Sequence, residues 1–150
     1  MQGVLTLADK NNLKPGNKEY DGKVSGEPFS VVSRCQSFAA DVFIATSGAT
    51  KEYRFTICKV VQTYSCELIH LSRQANEAPL GSSIRTEYQD AAIEYVKKID
   101  DVLPVVRRCR CFSINKEKEL HKKLGNLKVS FNYWIASDKK RLEDKGGNPD

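Results

Sequence analysis

The chain has 150 residues, 40% hydrophobic and 29% charged, a size and balance that suit one globular domain and exclude global disorder. Its unbroken apolar runs, such as Val42-Phe43-Ile44, fall far short of the roughly 20 residues a spanning helix needs, and the Val4–Ala8 patch is too short for a secretory signal. Five cysteines (Cys35, Cys58, Cys66, Cys109, Cys111) are an odd number in a chain long enough to bury a core, so the expectation is reduced thiols in the cytoplasm, nucleus or an organelle matrix.

In chain order, residues 1–28 are rich in Gly, Pro, Asn, Asp and Lys and read as a flexible lead-in or long loop. Residues 29–142 read as a single α+β domain, and 143–150 as a disordered tail. Phe29–Cys35, Asp41–Thr46, Glu52–Val61 and Tyr64–Leu71 are rich in β-branched and aromatic residues. In the third, Tyr53, Phe55 and Ile57 alternate with Arg54, Thr56 and Cys58, the period of a half-buried strand. The connections are too short for crossover helices, so the expectation is an antiparallel meander.

A helix follows at about Ser83–Leu103. Ile84, Tyr88, Ala92, Tyr95, Ile99 and Leu103 recur at steps of three and four, and Pro104 ends or kinks it. Asn115–Leu124 reads as a short helix capped by Asn115 and stopped by Gly125. In 127–136, Leu127, Val129, Phe131, Tyr133 and Ile135 alternate with Lys128, Ser130, Asn132 and Trp134, which reads as a strand with an amphipathic helix as the alternative. Ser137 caps a last turn. The expected architecture is an antiparallel sheet, which the C-terminal strands can join, covered on one face by one long and one or two short helices.

Standard catalytic, nucleotide and calcium signatures are absent from the sequence. Cys109-x-Cys111 has one residue between its thiols, a poor zinc knuckle, so no metal or cofactor is expected. The pair lies within Arg107-Arg108-Cys109-Arg110-Cys111, and guanidinium neighbours favour a thiolate in general, so a small enzyme or redox protein with a reactive cysteine here is one alternative function. On a strand, Cys66 and His70 would lie roughly 13 Å apart, too far to pair.

Charge carries the main functional expectation. Residues 1–50 and 51–100 are each neutral, and the whole net charge of +5 falls in the last third. There Arg107, Arg108, Arg110, Lys118, Lys122, Lys123 and Lys128 are interleaved with aromatics. A strand would turn Trp134 outward among the lysines, where its ring could stack on a base. These eight residues form the expected contact surface of a non-enzymatic binding module whose partner is an acidic protein or RNA/DNA, with no membrane contact and no catalytic residue. A structural subunit of a larger assembly is the other alternative.

Overall fold

The computed structural model describes residues 28–146. Five helices account for its regular structure: α1 (Pro28–Ala45), the one-turn α2 (Lys51–Arg54), α3 (Ile57–Glu77), α4 (Ser83–Arg108) and α5 (Ile114–Gly146). No strand occurs among the described residues, so the expected α+β architecture is wrong: the domain is an all-helical bundle of four long helices. The segments read as strands at 29–35, 41–46, 52–61, 64–71 and 127–136 lie almost wholly within helices α1, α2, α3 and α5.

The burial pattern explains this. On α3 the fully buried positions are Cys58, Val61, Ser65, Leu68, Ser72 and Ala75. On α4 the stripe is Arg85, Gln89, Ala92, Val96, Ile99, Leu103 and Val106, and on α5 it is Glu117, Leu120, Leu124, Leu127, Phe131, Trp134 and Asp138. Each advances by alternating threes and fours, the 3.5-residue repeat of helices packed at shallow angles. Several of these positions are polar, so a hydrophobicity count does not show the stripe.

Numbering runs in opposite directions across all four seams. Arg85 and Gln89 of α4 meet Asp138 of α5, Asp100 meets His121, and Arg107 meets Glu117. Tyr64 of α3 packs edge-on to Tyr95 of α4. Gln62 of α3 donates to the Thr46 hydroxyl just past the end of α1, and Lys123 of α5 reaches Asp41 of α1. α1 therefore neighbours α3 and α5, α4 neighbours the same two, and the backbones of the diagonal pairs stay apart. This is an up-down-up-down bundle with its core inside the ring.

Local chemistry sets the ends. Ser82 caps α4: its Oγ accepts from the Arg85 amide at 3.2 Å. α4 does not stop at Pro104 but continues one turn to Arg108. It ends in a Schellman motif, with Arg110 N–H donating to Arg107 O (2.8 Å), Cys111 N–H to Val106 O (3.1 Å), and Arg110 in the left-handed region at φ 64°. Ser113 rather than Asn115 caps α5, accepting from the Lys116 amide at 3.1 Å. α5 also runs through Gly125, where an added Cβ would meet nothing within 4 Å. Its 33 residues make a rod about 50 Å long. The lead-in read at 1–28 lies outside the described residues except for Pro28, which opens α1, and the tail read at 143–150 is helical as far as Gly146.

Candidate binding surface

The helical geometry of α5 redistributes the eight residues expected to form one contact surface. Trp134 is fully buried against Phe131, with the Arg85 guanidinium 5.4 Å from its ring centroid, and its indole N–H has no hydrogen-bond partner. The outward-facing tryptophan is therefore corrected: on a helix, position 134 follows 127 and 131 into the core. Its neighbour Tyr133 takes the outer position and is 48% exposed. Val129, one turn earlier, is 64% exposed.

Two of the expected cations are committed to partners. Arg107 Nε donates to Glu117 Oε1 at 2.7 Å. The Lys123 ammonium lies 2.8 Å from Asp41 and 3.3 Å from Glu119, and the Asp41 contact holds its pKa above the ordinary lysine range. Arg108 and Arg110 are exposed at the α4–α5 turn, and Lys118, Lys122 and Lys128 are exposed on α5. None of these five makes an ion pair among the described residues.

Lys118, Lys122, Val129, Tyr133 and Lys140 follow one another at steps of four and seven along the outer side of α5, all exposed. The stripe is about 33 Å long at 1.5 Å per residue. Lys128 flanks it on one side. The sequence signal for Val129 and Tyr133 was present, since both stand one helical turn apart among lysines, but a period of two assigned both to the core.

Beside this surface lies a graded chain of ionisable groups on the α4–α5 seam. His121 Nδ1 is 2.7 Å from Asp100, and its Nε2 is 3.1 Å from Glu117. The Arg107 hydrogen bond, helped by His121, holds the Glu117 carboxyl below the usual range against the cost of burial. At the far end of the seam, Arg85 makes a two-pronged contact with Asp138 at 2.7 and 3.0 Å and donates to the carbonyls of Ala75 and Ala78. Gln89 and Arg141 complete the shell around Asp138. Burial pushes the Asp138 carboxyl up, but the hydrogen bonds from Arg85, Arg141 and Gln89 outweigh it and leave the pKa lowered. Both clusters join helices.

On the outer side of α3, Cys66 and His70 share the wall of an open groove of about 660 Å³, together with Phe43 and Phe55. They stand one helical turn apart rather than at strand spacing, and His70 Nε2 meets Gln74 Nε2 at 3.3 Å. All five cysteines are free thiols. Among the described residues no group of His, Cys, Asp and Glu is placed to hold a metal ion, and no helix is long and apolar enough to cross a membrane. No protein-family model, no curated protein and no solved structure matches the chain.

Proposed function

We propose that the bundle is a non-enzymatic binding module that lays the outer face of α5 against an acidic amphipathic helix of a partner protein. The observation behind this reading is the lysine stripe with an apolar pair at its centre: Lys118, Lys122 and Lys140 around Val129 and Tyr133. A valine and a tyrosine at i, i+4 offer the ridge that another helix's apolar side packs against, and the lysines select acidic flanks. The burial of Trp134 favours a protein over a nucleic acid, because the aromatic expected to stack on a base is inside the core.

The test uses a synthetic Glu-rich helical peptide with leucines at heptad positions, beside single- and double-stranded oligonucleotides, each at two ionic strengths. The expected result is peptide binding that weakens with salt, is lost in Lys118→Glu/Lys122→Glu, and falls in Tyr133→Ala with the fold intact. Oligonucleotide binding with a steep salt slope and no peptide binding would transfer the surface to nucleic acid. Binding of neither would remove the proposal.

A further inference from the structure

The outer side of α2 and of the first half of α3 carries two open grooves that share a wall. Phe55, Lys59 and Thr63 line both. The groove of about 660 Å³ that holds Cys66 has mixed charge, with Arg54 and Lys59 beside Glu67. The other, of about 670 Å³, has a different character. Its body is Tyr53, Phe55, Ile57, Val60 and Tyr64, and its lining contains no acidic side chain. Phe55 is 66% exposed and Val60 38%, so this apolar surface lies outside the core. Tyr64 is held edge-on to Tyr95 at 5.5 Å, with the Lys98 ammonium 5.9 Å from its ring centre, which fixes that end of the groove. Lys59 is the one charged residue of the lining; it is exposed and makes no ion pair among the described residues.

We propose that this groove binds an amphiphilic monocarboxylate, a fatty-acid anion, with its chain along the aromatic floor and its carboxylate on the Lys59 ammonium. An apolar lining with a few polar groups is the usual make-up of a small-molecule site, and the volume falls within their range of roughly 300–1,000 Å³. From Ile57 to Tyr64 the lining runs about 10 Å along α3, an elongated shape that suits a chain. Burying that chain against Phe55 and Val60 removes apolar surface from water on both partners. Thr63 stands one helical turn beyond Lys59 in the same wall, so its hydroxyl can donate to the second carboxylate oxygen. The charge of the site selects the head group. One lysine matches one negative charge; a phosphate or a dicarboxylate would bring charge that nothing in the lining offsets, a neutral amphiphile would leave Lys59 without a partner, and a cationic one would be repelled.

The site is separable from the lysine stripe, because no residue of α5 lines the groove. Dodecanoate, dodecanol and dodecyltrimethylammonium are titrated into the full chain by calorimetry, each below its micelle-forming concentration. The expected result is one dodecanoate per chain, with the other two at least about tenfold weaker. Lys59→Glu should weaken dodecanoate by about tenfold or more, and Val60→Asp should weaken it comparably by placing a charge in the floor. Both positions are exposed, and circular dichroism checks that the fold is kept. Cys109 reports occupancy: it lines the groove, and in the Cys66→Ser chain it is the one cysteine that is not buried. Saturating dodecanoate should therefore slow alkylation of that chain by iodoacetamide severalfold. Tyr133→Ala on α5 should leave dodecanoate binding unchanged, so failure of the helix-docking reading and failure of this one are distinguishable. Absence of dodecanoate binding, equal affinity for dodecanol, no effect of Lys59→Glu, or an alkylation rate indifferent to dodecanoate would each overturn the proposal. Head-group preference and Cys109 protection decide it even where a groove variant does not fold.

Discussion

The two ends of the α4–α5 seam solve the same problem in opposite ways. At one end Arg85 and Asp138 are both within the bundle, their side chains 7% and 9% exposed, and Ala75, Ala78, Gln89 and Arg141 satisfy what remains of their hydrogen-bonding capacity. At the other end Arg107 and Glu117 are 31% and 11% exposed, and the chain passes through His121 to Asp100 at 58%. The first pair is closed to water, so its members depend on each other and on the protein groups around them. The second opens gradually onto solvent, which can take the place of any missing partner.

The largest effect expected from this difference is at Asp138. Asp138→Ala leaves the Arg85 guanidinium buried without its carboxylate and should cost about 3–5 kcal/mol, read from urea unfolding. Replacing both partners by apolar residues of similar volume, Arg85→Met with Asp138→Leu, should recover most of that loss. A single variant as stable as the parent would show that water reaches the pair.

Acidification should act less severely and on both ends. The carboxyls of Asp138 and Glu117 are both held below their ordinary range. Their contribution is therefore fully present above the unfolded carboxylate values of about 4, and it is lost as pH falls through the lower folded values. Unfolding midpoints should drop below about pH 4, and Asp138→Asn should flatten that dependence. A parent chain whose midpoint stayed level across that window would contradict the assignment.

The smallest effect belongs to the open end. Arg107→Ala should cost about 1 kcal/mol or less, because His121 stays beside Glu117 and the loss of the partly exposed Arg107 side chain lets water in. A loss equal to that of Asp138→Ala would erase the distinction between the two ends.

Legibility followed chemistry. α4 was readable because Ala92, Ile99 and Leu103 fall on its buried stripe, although Ile84 is 48% exposed and two buried positions on that stripe are Arg85 and Gln89. α5 was not readable as one helix. Gly125 looked like a stop, yet nothing crowds that position, so the helix bears only the roughly 1 kcal/mol cost of glycine. Beyond it, five apolar residues in alternation resembled a strand, and only burial shows that Leu127, Phe131 and Trp134 are inside while Val129 and Tyr133 are outside. Over nine residues, periods of 2 and 3.5 share too many positions to be separated by hydrophobicity alone. In α1 and α3 the β-branched and aromatic residues suggested strands, and tertiary packing overrode that preference. The positions of the cations were legible as a cluster, but their division into committed and exposed groups depended on partners such as Asp41, distant in sequence from Lys123.

The even number of long antiparallel helices has a consequence for handling the molecule. α1 begins and α5 ends at the same end of the ring, while the α1–α3 connection and the α4–α5 turn lie at the other. Pro28 and Gly146 therefore lie at the end opposite Cys58, Cys109 and Cys111. The same arrangement makes the fold a candidate for circular permutation: a linker can join the neighbouring ends, and the chain can be reopened at the exposed Gly48 turn, where an added Cβ meets nothing within 4 Å.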